Sequence, residues 1–340
     1  MKRNRGRKGL GNTEREDRYY GLLAGAGAAR VLESVAAVGL AALLGGGKAL
    51  APEYIIRELG LHPQRAWKWL GLLEQMELVE RAPRDRYRAG RLMYAMFTPA
   101  GELLFFYQDF LRYFNVVMGF DLAAVLRGAP VASVPYPPQS PLEVELLEAW
   151  MRTTARETLA RMERAVSFGS VSRLLDVAGG DGTMAIAQAR RHPRLRITVF
   201  NLPASAALVR RNVAAAKLQK RIDVVEGDFR RDRLPGDYDM VRFSRVLADW
   251  PEDVCRMLLG KAHASLRPRG RLVICEPLAD ENPELTFAWH FSYLPYDDFG
   301  IGVYKPGAVY RRLLADAGFS RVSVRPRDRD SIHSVIVATK

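Results

Sequence analysis

The chain has 340 residues, a net charge of +13, 48% hydrophobic and 26% charged residues, which excludes a disordered polymer and leaves room for two domains with separate cores. The positive balance points to nucleic acid, an anionic ligand or an anionic membrane surface, and part of it sits in residues 1–18, where seven Lys/Arg face three Asp/Glu. Cys255 and Cys275 are the two cysteines, so no disulfide framework is implied and a reducing cytoplasm is expected.

Residues 1–18 read as a basic, flexible arm. The apolar stretch behind them is interrupted by Arg30 and Glu33, and the rest, Ser34 to Gly47, is too short to cross a bilayer. No membrane span is expected. From Tyr19 to Leu44 small and apolar residues run all round a helix, which implies burial on more than one face and a dimer interface. A helix near Pro52–Leu59, a turn at Gly60–Pro63, a helix from Gln64 to Met76 and short strands at Leu78–Glu80 and Tyr87–Ala89 make a winged helix-turn-helix pattern.

Winged helices commonly read DNA with the second helix, which here carries Arg65 and Lys68. Trp67 and Trp69 on the same helix favour packing over base reading, so a structural, dimerising module is expected and nucleic acid is not the expected partner. A DNA-binding regulator with a ligand-sensing second domain stays as the alternative. Leu103 to Phe120 carries seven aromatic residues at helical spacing, suited to a core or to the wall of a flat, apolar ligand site. Pro135–Pro138 is a stiff connector, and a helix from Leu142 to about Val166 closes the first half. The expected domains are residues 19–168 and 169–340.

From Val171 strands and helices alternate. Strand candidates are Arg173–Val177, Leu195–Phe200, Ile222–Val225, Tyr238–Phe243 and Arg271–Cys275, with a late pair at Arg321–Val324 and Ser334–Ala338. The fold class is α/β, a Rossmann-like parallel sheet with helices on both faces, which binds ligands at the carboxyl ends of its strands. At one such end lies Asp176-Val177-Ala178-Gly179-Gly180-Asp181-Gly182-Thr183, a strand, a tight glycine turn and the start of a helix.

Two cofactor classes compete for that turn. Gly180 to Ala185 satisfies the dinucleotide pattern, but the next strand ends in Asn201 where a dinucleotide site wants Asp or Glu on the ribose. S-adenosyl-L-methionine suits the residues better. Gly179, Gly180 and Gly182 admit it, Asp176 orients its amino-acid end, Asn201 bonds a ribose hydroxyl, and Asp228 with Phe229 takes the adenine. No His/Cys/Asp cluster has metal-ligand spacing, so no protein-bound catalytic metal is expected.

Asp176–Gly182, Phe200-Asn201-Leu202-Pro203, Glu226-Gly227-Asp228-Phe229, Arg245–Trp250 and Gly270–Ile274 together resemble the plant-type small-molecule O-methyltransferases over nearly the whole chain. Within that family the chain is most similar to the bacterial pigment branch, which holds the bacteriochlorophyll carbon methyltransferase and the hydroxyneurosporene O-methyltransferases. The resemblance implies a class I methyltransferase domain behind a winged-helix dimerisation domain, a homodimer, S-adenosyl-L-methionine as donor, and a hydrophobic small-molecule acceptor. It adds Leu202 and Ser244 to the cofactor-binding set.

One departure bears on the chemistry. The O-methylating members carry a catalytic histidine immediately before Asp249-Trp250, and this chain has Ala248. A positioned base is worth about 10²–10⁴-fold in rate, so either the acceptor is already nucleophilic, such as an electron-rich carbon, or another residue serves. Some family members without the histidine hydroxylate or decarboxylate, a second alternative. Catalytic candidates are His290 and Tyr293, in an aromatic segment with Phe287, Trp289, Phe291, Tyr296, Asp297, Asp298 and Phe299, and Arg245, which with Arg242 ends the fourth strand and can pair an acidic acceptor.

Overall fold

The computed structural model describes residues 11–131, 140–296 and 303–340. Residues 1–10 of the basic arm, the Pro135–Pro138 connector, Asp297, Asp298 and Phe299 lie outside the described residues. Two compact units divide between Tyr113 and Phe114.

The first unit begins with α1 (Asn12–Ala37), so residues 12–18, expected in the flexible arm, are helical. The helix stops at Val38, and Gly39 at φ +82° turns the chain into α2 (Leu40–Leu44). Residues 11–27 are exposed within the single chain, and Val35 is the buried position of α1. Pro at the first position opens both α3 (Pro52–Glu58) and α4 (Pro63–Gln75), where the missing N–H costs nothing. An antiparallel pair follows, β1 (Val79–Ala82) and β2 (Arg86–Ala89), in the register Val79↔Ala89. Val35, Leu40, Leu44, Ile55, Leu70, Leu73, Leu78 and Tyr87 form one core. Trp69 donates its indole N–H to Ser34 Oγ at 2.8 Å, tying α4 to α1, whereas Trp67 is exposed. The short α5 (Arg91–Met96) leads to α6 (Phe105–Met118), which contains the division between units.

The second unit opens with α7 (Leu122–Leu126) and α8 (Pro141–Ala165), the latter started by a capping box of Ser140 and Glu143. Then come β3 (Arg173–Val177), α9 (Thr183–Arg191), β4 (Arg196–Asn201), α10 (Pro203–Ala215), β5 (Ile222–Glu226), β6 (Tyr238–Ser244), α11 (Glu252–Ser265) and β7 (Leu266–Glu276). The chain ends with α12 (Pro283–Tyr293), α13 (Gly307–Asp316), β8 (Ser320–Arg325) and β9 (Ser334–Thr339). Among the described residues the sheet has seven strands in the order β5-β4-β3-β6-β7-β9-β8; the first five are parallel, and β9 runs antiparallel to both β7 and β8.

Alternation along the strands builds a core on each face. Leu175 and Val177 pack with Leu258 and Leu259 of α11 and Leu313 of α13. Leu174 faces the other side, with Leu159 and Met162 of α8, Ala185 of α9 and Val209 of α10. The helix α8, expected in the first domain (residues 19–168), therefore shares a core with the sheet: an apolar stripe at Ala155, Leu159 and Met162 is buried there. Strand order reverses between β4 and β6 on either side of β3, so the carboxyl end of β3 lies at the topological switch point.

Candidate active site

The turn after β3 is strained where it must be. Ala178 takes φ +54°, and Gly182 takes φ +83° as the residue before α9. The room left by the missing side chains is filled from within. A Cβ on Gly179 would lie 2.5 Å from Asp176 Oδ2, and one on Gly180 would lie 2.6 Å from Glu148 Oε2 of α8. These glycines thus admit two carboxylates of the protein itself.

Asp176, expected to orient the amino-acid end of the donor, is 1% exposed, and both its oxygens are bonded by Arg242, one from Nε at 2.8 Å and one from the terminal Nη2. Register explains the pairing, since Asp176 and Arg242 are partners across β3 and β6. Arg242 Nη1 also donates to Gln188 Oε1 of α9 at 2.7 Å. Arg242 is fully buried, so its place is beneath the turn, away from any acceptor.

Asn201 ends β4 beside the turn. Its Nδ2 donates to the Gly180 carbonyl at 3.0 Å, and its Oδ1 accepts from the Leu202 N–H at 2.9 Å. Leu202 precedes α10. Beyond β5, Asp228 Oδ2 accepts from Arg230 at 2.9 Å; burial raises its pKa, but the hydrogen bonds and charge of Arg230 outweigh that and hold it below the ordinary value. The Phe229 ring meets Trp250 edge-on at 5.7 Å, and Lys261 Nζ clasps the loop through the Phe229 and Asp232 carbonyls. Ser244 Oγ is 3.9 Å from Met184 Sδ at the start of α9. The residues expected to bind the cofactor therefore lie at the carboxyl ends of β3, β4, β5 and β6.

Arg245 follows β6 at φ +56°, a conformation unusual for its type. It donates to Thr154 Oγ1 and, at 3.0 Å, to the Met151 carbonyl of α8; its Nε–H is buried with no partner among the described residues. Ala248 is 3% exposed and brings no titratable group. Behind it stand charged residues that the sequence reading missed. Glu276, at the end of β7, accepts the N–H groups of Val246 and Leu247 at 2.9 and 2.7 Å and the Tyr310 hydroxyl at 2.8 Å. Burial pushes Glu276 up to about 7. Lys305 Nζ donates to the Leu247 and Ala248 carbonyls at 3.0 and 3.1 Å. A carboxylate ending an apolar strand at the ligand-binding edge was the available signal for Glu276.

On α12, Trp289 packs against Trp150 of α8 (5.5 Å) and Tyr293 (5.1 Å), while Phe291 meets Phe114 (5.0 Å) and Phe287. His290 belongs to the packing. Its Nε2 accepts the Val303 N–H at 3.1 Å, and burial, then the charge of Lys305, lowers its pKa. A neutral ring with Nε2 accepting carries its proton on Nδ1, so no lone pair remains to take a proton from an acceptor. His290 in this state is placed to accept from the backbone through Nε2 and to donate through Nδ1. Among the described residues no cluster of His, Cys, Asp and Glu is arranged to hold a metal.

The sheet order, the glycine turn at the switch point and the residues at the strand ends define a class I S-adenosylmethionine-dependent methyltransferase. The match to known proteins is specific. The O-methyltransferase domain family matches residues 128–320, and the chain belongs to that family. It is 30% identical over 316 residues to 3-hydroxy-5-methyl-1-naphthoate 3-O-methyltransferase of Streptomyces sahachiroi, covering 86% of each chain. Bacteriochlorophyllide d C-20 methyltransferase of Chlorobaculum tepidum is 27% identical, over 70% of each chain, and places the likeness in the bacterial pigment branch. The fold is shared with the S-adenosylmethionine-dependent methyltransferase SibL in its apo form, with a TM-score of 0.76 at 24% identity, covering 94% of this chain and 97% of that one. The residues fit the donor. A partnerless buried guanidinium N–H and a buried carboxylate near the turn offer opposite charges, as a zwitterionic amino-acid end requires.

Proposed function

We propose that this methyltransferase acts on a flat or extended hydrophobic small molecule, such as a pigment, a polyketide or an aromatic metabolite, and methylates an atom already nucleophilic, foremost an electron-rich carbon. The observation that carries the reading is Ala248, a buried methyl group on a segment held rigid by Glu276 and Lys305, where a base would have to project. Trp150, Trp289, Tyr293, Phe291 and Phe114 supply apolar, planar surface for such an acceptor. Two of its relatives are named for a naphthoate and a bacteriochlorophyllide, both flat molecules.

S-adenosyl-L-methionine, when bound, supplies an electrophilic methyl group on a sulfonium. In this reading Asn201 reaches the ribose, Asp228 and Phe229 take the adenine, Arg245 faces the anionic end of a ligand, and Tyr293 is a wall of the acceptor site. Rate then comes from holding acceptor and donor in line and dry. Incubation with the donor and electron-rich polycyclic phenols should give products heavier by one methyl group, with the new signal on carbon. Products methylated solely on oxygen would sink the carbon assignment, and loss of carboxyl or gain of oxygen would sink methyl transfer.

Two copies are expected to associate through the first unit. Tyr19, Tyr20, Leu22 and Leu23 of α1 are 51–75% exposed in the single chain, more apolar surface than one helix face normally leaves in water. Light scattering should report twice 38.1 kDa; a monomer at micromolar concentration would refute this. Among the described residues no helix is long and apolar enough to cross a membrane. The two free, buried cysteines support a cytoplasmic setting, which fractionation of the host cell tests.

A further inference from the structure

We propose that Glu148 of α8 is a donor-binding residue whose carboxylate receives the α-ammonium group of S-adenosyl-L-methionine above the glycine turn. Glu148 is 7% exposed, and its Oε2 accepts the Asp181 N–H at 3.1 Å, over Gly180, where a Cβ would meet it. It forms no ion pair among the described residues. Arg152, one helical turn along α8, gives its guanidinium to Asp181, at 2.8 Å from Nε. Arg245 gives two nitrogens to Thr154 and the Met151 carbonyl. A buried carboxylate with one neutral hydrogen bond is costly unless a cation arrives.

The electrostatics agree with the geometry. Burial first, then repulsion from Asp181, pushes Glu148 up to about 7, while Arg245 and Arg152 pull the other way. Among the described residues the charged groups that act on it most are Asp181 from the turn, Arg245 from the end of β6 and Arg152 from α8. A cation placed against Glu148 would favour its ionised form, so donor affinity should rise with pH through about 7 and level off above. Nearby, the partnerless Nε–H of Arg245 offers the opposite charge.

Calorimetric titration of the full chain with two probes tests the assignment: S-adenosylhomocysteine, which keeps the α-amino group, and 5′-methylthioadenosine, which lacks the amino-acid end. Glu148→Gln preserves an oxygen for the Asp181 N–H, so the turn keeps its support. The expected result is a loss of affinity for S-adenosylhomocysteine of about tenfold or more, with 5′-methylthioadenosine bound as by the unsubstituted chain. The rise in affinity between pH 6 and 8 should also vanish in the variant. Equal weakening for both probes, or unchanged affinity for both, overturns the proposal. Failure of the unsubstituted chain to bind S-adenosylhomocysteine would overturn it along with the donor itself.

Discussion

Asp176→Asn should lower the unfolding free energy by about 3–5 kcal/mol, because it leaves the Arg242 guanidinium buried without its counter-charge. Both side chains are within 2% of complete burial, so water cannot take over either charge. The effect should be read as a shift of the denaturant midpoint at constant slope. Arg242→Met should cost a similar amount. The double substitution Asp176→Leu with Arg242→Met should recover much of the loss, since well-packed apolar side chains often replace a buried pair without penalty. A midpoint unmoved by Asp176→Asn would show that the pair does not hold the turn. With the pair supporting the turn in this way, weaker donor binding in any Asp176 variant should track lost stability.

Ala248→His should raise kcat/KM for weakly acidic phenols by about 10²-fold and leave acidic phenols and carbon acceptors nearly unchanged. The reason is specific to ionisation. A phenol with a pKa near 10 is mostly protonated at neutral pH and needs a base, whereas an acidic phenol arrives as the anion and an activated carbon has no proton to lose before it attacks. The measurement is the slope of rate against phenol acidity, steep in the unsubstituted enzyme and flatter in the variant. Equal affinity of both proteins for S-adenosylhomocysteine serves as the control for folding. An unchanged slope would mean that position 248 does not face the acceptor, and the carbon reading would lose its support.

Strand and helix positions were legible to within a few residues because they follow from local alternation and punctuation. The strand from Arg173 to Val177 and the helices after Pro52 and Pro63 are cases in point. β7 begins earlier than expected, at Leu266, because Pro268 and Gly270 read as a turn while the ladder with β6 survives a register shift there. The charged groups were less legible. The motif around Asp176 gives no sign of Arg242, 66 residues away, which bonds it through the register of β3 on β6. His290 stands out in the sequence among aromatics, and its bond from the Val303 N–H is set by a contact 13 residues away.

The order of elements, the glycine turn with the acidic and amide residues of a methyl-donor site, and the missing histidine were all set by short runs of sequence. Which carboxylates are paired and which stay without a cation was decided only by tertiary contacts. Glu148 meets the turn from 33 residues upstream through the packing of α8, and Glu276 meets Val246 through the neighbouring ends of β6 and β7. Burial and partner together set a charge's energy, and neither is a property of the residue's own neighbourhood in the chain.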